Sequence, residues 1–143
     1  MALPILLSTT YPHYSWGPGR FAWNVTGLGP LLIGFSLVAS AVRENITRIG
    51  GWRKLGTTQK YLIPTGPYRY SRNPMYLAAA LIWLGWTMLF GSWFLLGGLL
   101  VMVGGISIIG IPVEEKQWEA SLGNAYLQYK KDVARWLGRR KIG

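Results

Sequence analysis

Cysteine is absent from this sequence, which excludes a disulfide framework and a thiolate metal site. The one histidine, His13, cannot hold zinc alone, and nothing with ligand spacing surrounds it. Acidic residues are few, five against fifteen Lys and Arg, for a net charge of +10. Charge of either sign is missing from residues 73–113, a run of 41 positions. No Gly-x-Gly-x-x-Gly loop follows a strand pattern, so a soluble nucleotide-binding fold of that type is not expected. Residues 1–19 lack the basic start and long apolar run of a secretory signal; they read as a short interfacial segment held by Tyr11, Tyr14 and Trp16.

What remains is strongly apolar. Hydrophobic residues make up 50% of the chain, and aromatic residues equal charged ones at 14%, a balance unusual for a soluble domain and wrong for a disordered one. A membrane helix needs about 20 apolar residues, with a range of about 17–25. The uncharged run therefore holds two short spans and a tight turn, with "FGSW" at 90–93 as the turn. A further uncharged stretch from Phe21 to Val42 holds one more. The expected fold is all-α and integral to a membrane. It is a single domain over 1–143, with spans at 22–42, 74–90 and 92–112, a connector at 43–73 and an amphipathic helix at 113–137.

Lysine and arginine placement sets orientation. Seven of these cations lie in the connector and seven after residue 113, and only Arg20 lies elsewhere. The connector and the C-terminus are thus expected on the cytoplasmic side, in keeping with an odd number of spans in an inner, plasma membrane. Orientation accounts for the positive charge, so nucleic acid is not needed as a partner.

Small residues recur at sevens: Gly27, Gly34 and Ala41; Ala78 and Gly85; Gly91, Gly98 and Gly105, with Gly97 and Gly104 beside them. Such stripes let membrane helices approach closely, and helix packing is the simpler reading than room for a ligand. The segment 43–63 is basic, with Ile46, Ile49, Trp52 and Leu55 at threes and a Gly50–Gly51 interruption; it reads as a broken interfacial segment. In the tail, Trp118, Leu122, Tyr126, Tyr129, Val133 and Trp136 form one helical face around Gly123, as for a helix lying on the bilayer.

Two polar motifs flank the uncharged hairpin. In "GPYRYSRNPMY", residues 66–76, Asn73 suits an N-cap and Pro74 the first helical position. Tyrosines and arginines there also suit a membrane interface. In "PVEEKQWE", Glu114 and Glu115 stand where the third span ends. They are comfortable there only if a break at Pro112 makes them a new helix N-terminus. The hairpin brings an arginine, an amide and tyrosines opposite two carboxylates. That set suits a zwitterionic ligand beside an apolar cavity, with the arginine gripping a carboxylate.

"GPYRYSRNPMYLA" followed by "EEKQWEASLGNAYLQY" resembles the integral-membrane methyltransferases. These include isoprenylcysteine carboxyl methyltransferase and its small prokaryotic relatives, with phosphatidylethanolamine N-methyltransferase a more distant member. Gly66, Pro67, Tyr68, Arg72, Pro74 and Tyr76 match the first half of the family pattern. Glu114, Glu115, Gly123, Tyr126 and Tyr129 match the second. Asn73 stands where the family has His, Trp118 where it has Leu, and Leu122 where it has Phe. The resemblance covers residues 57–137.

It implies S-adenosylmethionine as methyl donor and a lipidic or lipid-tethered acceptor entering from the bilayer. Arg72 and Asn73 would hold the polar end of the donor, and Glu115 with Glu114 its ammonium or ribose hydroxyls. Tyr68, Tyr76, Tyr126 and Tyr129 would wall the pocket, with Gly66, Pro67 and Pro74 shaping it. Arg72, Asn73 and Glu115 are the catalytic candidates, while Arg135 and Trp136 would close the site or meet the acceptor. No metal is implied. Three spans are few to enclose a pocket, which leaves a place for a homo-oligomer. The rival reading is a non-catalytic membrane scaffold or lipid-binding subunit. A transporter is disfavoured because no Asp, Glu, Lys or Arg falls within the spans.

Overall fold

The computed structural model describes residues 22–49, 62 and 64–138, and these are all helix, turn and connection, with no sheet among them. The interfacial reading of residues 1–19 and the Gly50–Gly51 interruption lie outside the described residues.

A 3-10 turn, Ala22–Gly27, leads into α1, Leu28–Ile49. Pro30 falls in the first turn of α1, where a missing N–H costs nothing. The helix does not stop at residue 42, where the apolar run ends. It carries on through Arg43, Glu44 and Asn45, stabilised by a Glu44–Arg48 pair at 3.2 Å, one turn apart, and by Thr47 Oγ1 donating to the Arg43 carbonyl at 3.0 Å. The first seven residues of the expected connector, 43–49, about two turns, are therefore helix.

A second 3-10 turn, Gly66–Arg69, precedes α2, Pro74–Phe90. Gly91 closes α2 in the left-handed region (φ 59°), a conformation open to glycine. Ser92 opens α3, Trp93–Gly105, with Oγ accepting from the Leu95 N–H at 3.4 Å. A π turn, Ile106–Gly110, joins α3 to α4, Ile111–Leu122, and α5 spans Asn124–Asp132.

The chain does not break at Pro112. The π turn bonds the Ile111 N–H to the Ile106 carbonyl, five residues back. That wider turn accommodates a proline ring that would otherwise collide with the carbonyl four residues before it. Glu114 and Glu115 therefore sit inside a continuous helical run rather than at a free N-terminus. The helix-dipole account of the two carboxylates fails, and they need another partner. One extra residue in a turn also rotates the downstream helix by about 100°, and the face of α4 carrying Ile111 and Glu115 is the buried one.

Among the described residues two helical stretches, Asn24–Arg48 and Trp93–Leu122, are long and apolar enough to cross a membrane. α2 is as apolar but has 17 residues, about 26 Å at 1.5 Å per residue against a hydrocarbon core of about 30 Å.

α1 and α2 pack antiparallel along the small residues of their stripes. Gly27 lies against Gly85 and Leu89, and Gly34 against Ile82 and Ala78. Ala41 and Ala78 are fully buried. The third stripe behaves differently. Gly91 belongs to the turn, Gly98 touches the Trp83 ring, and Gly97, Gly104 and Gly105 meet nothing within 4 Å among the described residues. Only the first two stripes are seams of the fold. Together these contacts set the Asn45 end of α1, the start of α2 and the start of α4 at one end of the molecule.

Candidate active site

That end holds a cavity of about 290 Å³, at the lower edge of the range of about 300–1,000 Å³ for small-molecule sites. Its lining begins with the sequence motif that flanks α2. Tyr68 comes from the 3-10 turn, Arg72 and Asn73 from the extended link, and Pro74 and Tyr76 from the first turn of α2. Glu114 and Glu115 come from α4, and Tyr126 and Tyr129 from α5. Nine residues singled out by sequence thus meet in one cavity although they span residues 68–129.

Gly123 makes this meeting possible. Its φ of 54° and ψ of −129° lie where residues with a Cβ are strained, and there the tail turns back. The expected single helix over 113–137 is therefore two helices, followed by an extended strap from Val133. The aromatic face of the tail does not lie on a bilayer. Tyr126, Tyr129 and Val133 are buried together, and Leu62, Trp118 and Leu122 pack on them. Tyr129 Oη donates to the Tyr68 carbonyl at 2.7 Å, fixing α5 to the opposite wall. A Cβ at Gly123 meets nothing within 4 Å, so the cost of Gly123→Ala is conformational. It is expected to destabilise the folded-back tail by about 1–3 kcal/mol. Amide hydrogen exchange should quicken in α5 and the strap and stay unchanged in α1 and α2.

The strap is stitched to the link before α2. The Arg72 N–H donates to the Ala134 carbonyl at 3.1 Å and the Gly138 N–H to the Tyr70 carbonyl at 2.8 Å. Asn73 belongs to this seam. It occupies the N-cap position, but with ψ at 56° its side chain makes no cap bond, and Nδ2 donates instead to the Arg135 carbonyl at 3.1 Å. The helix-start account of Asn73 is corrected accordingly.

The charges are concentrated on Glu115, which is only 4% exposed. Arg72 Nη1 lies 2.9 Å from Oε1, Arg135 Nη2 3.3 Å and Lys130 Nζ 3.4 Å from Oε2. The Arg72 approach is a close ion pair without hydrogen-bond geometry. Among the described residues Arg72 Nε is buried without a partner, while Arg72 Nη1 and Glu115 Oε1 have only each other. A buried donor left unpaired is costly, and a bound polar group can satisfy it. Glu114 is held differently, accepting from the Tyr76 hydroxyl. Burial pushes the Tyr126 and Tyr129 hydroxyls up, with Glu115 adding to the effect at Tyr126 and Tyr126 at Tyr129. Burial also raises Tyr68. All three stay protonated and present neutral O–H groups at neutral pH.

Not every expected residue lines the cavity. Gly66 and Pro67 build the 3-10 turn behind it. Arg135 and Trp136 are also outside the lining; Arg135 reaches it through Glu115, by its guanidinium, and through Asn73, by its carbonyl. Conversely, Asn45, Leu62 and Met75 line the cavity and were not anticipated. Asn45 is buried and donates to the Tyr68 hydroxyl at 2.7 Å. Its signal was its place four residues after Ala41, on the packed stripe of α1. Lys130, off the aromatic face of the tail, ties Glu119 (2.6 Å) to Glu115. Among the described residues no three His, Cys, Asp or Glu cluster as metal ligands.

Comparison with known proteins adds two findings. The family model described as phospholipid methyltransferase matches residues 23–125. An uncharacterized protein of Haemophilus influenzae is 36% identical over 63 residues, all of that protein and 44% of this chain. No solved structure matches.

Proposed function

The chain belongs to the phospholipid methyltransferase family, and from that premise we propose that it transfers a methyl group from S-adenosylmethionine to a lipophilic or lipid-tethered acceptor at the cytoplasmic membrane face. Family and apolar helices together indicate a membrane-associated methyltransferase. The observation that carries the finer reading is the buried Arg72–Glu115 pair with the unpartnered Arg72 Nε inside an aromatic-walled cavity.

The donor set fits that methyl donor. Its amino-acid end carries a carboxylate and an ammonium, and its base is a flat ring. Arg72 Nε is a buried donor without an acceptor, suited to a carboxylate. Glu115 Oε1 and the neighbouring Glu114 are acceptors, suited to an ammonium or ribose hydroxyls. Tyr126, Tyr129 and Trp118 supply aromatic wall for the ring.

The bound donor supplies an electrophilic sulfonium methyl whose sulfur leaves as a neutral thioether. The protein is therefore asked for placement rather than for stabilising new charge, and placement is worth up to about 7–11 kcal/mol. Arg72 and Glu115 fix the polar end from two elements. The protonated tyrosines exclude water without competing as bases. A carboxylate acceptor needs no base, whereas an amine acceptor must first lose a proton. Asn73, lacking the imidazole of the family pattern, orients the strap and takes no proton.

Titration calorimetry of the purified protein with S-adenosylhomocysteine tests the donor assignment. Saturable one-to-one binding is expected, and its absence refutes the reading. Incubation with methyl-labelled donor and a membrane lipid extract should move label into the organic phase. A protein that binds donor but labels no lipid would leave the scaffold reading in its place.

A further inference from the structure

Glu115 holds the tail as well as the cavity. Its two sides are not alike. On one side Arg72 is buried, with a side chain 8% exposed. On the other, Lys130 and Arg135 come from the folded-back segment, and their side chains are 37% and 38% exposed. A buried pair is costly to break, whereas partly exposed pairs are worth little and release easily. The Arg72 contact is the fixed half of the cluster and the Lys130 and Arg135 contacts are the releasable half. The segment that carries them leaves α4 at Gly123, in the left-handed region at φ 54°, and supplies Tyr126 and Tyr129 to the cavity wall.

We propose that residues 123–138 form a lid over the cavity, latched by Lys130 and Arg135 through Glu115, and that these two are positioning residues that set ligand affinity. The coupling to ligand is electrostatic and rests on the donor assignment made above. Three cations, Arg72, Lys130 and Arg135, surround the two carboxylates Glu115 and Glu119. Arg72 Nε is buried beside this cluster without an acceptor; the carboxylate of the ligand's amino-acid end, bound there, competes with Glu115 for Arg72 and leaves Glu115 to Lys130 and Arg135. A ligand with that group draws the lid shut. A ligand without it occupies the ring site and leaves the latch as it was. Lys130 also bridges the two sides of the Gly123 turn through Glu119 at 2.6 Å, a contact that raises its pKa and keeps it charged.

The test combines amide hydrogen exchange with calorimetry on the full chain. In the ligand-free protein, Lys130→Gln and Arg135→Gln should speed exchange across 124–138 several-fold and leave α1 and α2 unchanged. Lys130→Arg should restore the wild-type rate. S-adenosylhomocysteine should slow exchange there in the wild type, and Lys130→Gln should weaken its binding about tenfold. 5′-Methylthioadenosine, which lacks the amino-acid end, should bind without slowing it and with equal affinity in both proteins. Unchanged exchange in both glutamine variants overturns the latch. Faster exchange with undiminished S-adenosylhomocysteine affinity overturns its role in binding. A wild type that binds neither nucleoside refutes the donor assignment and the coupling drawn from it, while the ligand-free exchange still decides whether the lid and latch exist.

Discussion

Arg72→Ala is expected to abolish saturable binding of S-adenosylhomocysteine and to lower stability by about 3 kcal/mol. Removing one partner of a buried ion pair costs about 3–5 kcal/mol. The lower end applies because Lys130 and Arg135 still reach Glu115 Oε2. Glu115→Gln should be as damaging to binding, since it leaves Arg72 buried without a counter-charge. Loss of binding in these variants alone would not separate a site from a structural pair. The double variant Arg72→Met with Glu115→Leu does separate them. Replacing both charges by apolar groups of similar size is close to neutral for many buried pairs, so thermal unfolding in detergent should return toward wild type. Binding should stay absent. A stable double variant that binds the nucleoside normally would remove Arg72 and Glu115 from the site.

Gly85→Val should separate α1 from α2. A Cβ there would lie 2.6 Å from Leu31 Cγ and 2.7 Å from the Gly27 carbonyl oxygen, and the Leu31 backbone nitrogen is 2.9 Å away. Backbone atoms cannot turn aside as a flexible side chain can, so the helices must part. Overpacking costs about 1–3 kcal/mol where a core can relax, and the loss here should reach the top of that range. The site should suffer with it, because Asn45 holds Tyr68 only while α1 stays against α2. Gly97→Val is the matched control. Its Cβ would meet nothing within 4 Å, so unfolding temperature and nucleoside affinity should both hold. Equal behaviour of the two variants would show that the α1–α2 approach is looser than described.

These outcomes depend on different kinds of information. Helix formation over Pro74–Phe90 and from Trp93 onward was legible because hydrophobic runs and turn residues act locally. Asn73, Pro74, Gly91 and Ser92 mark those boundaries within a few residues. The candidate site was legible in part because two short motifs sit at the two open ends of one hairpin. A hairpin of two antiparallel helices must bring such ends together. The packing of α1 on α2 was foreshadowed by glycines at sevens, but among the described residues the same spacing after α2 meets only side chains, Asn24 at Gly91 and Trp83 at Gly98, and no second helix backbone. Spacing marks a face that can be approached; it does not say which neighbour approaches it.

The sequence by itself determined an all-helical, strongly apolar chain, the pairing of "GPYRYSRNPMY" with "EEKQWE", and the resemblance to membrane methyltransferases. Those follow from composition, period and motif order, which are local properties. Only the tertiary structure decided the partners. It showed that a π turn carries the helix through Pro112, so that Glu115 faces inward, and that Gly123 folds the aromatic face of the tail onto Tyr68. It also brought Asn45 and Lys130 to the site from helices that no local pattern joins, and set Arg135 on Glu115. The reason is physical. A buried carboxylate must find its counter-charges wherever the fold brings them within about 4 Å, at any distance along the chain.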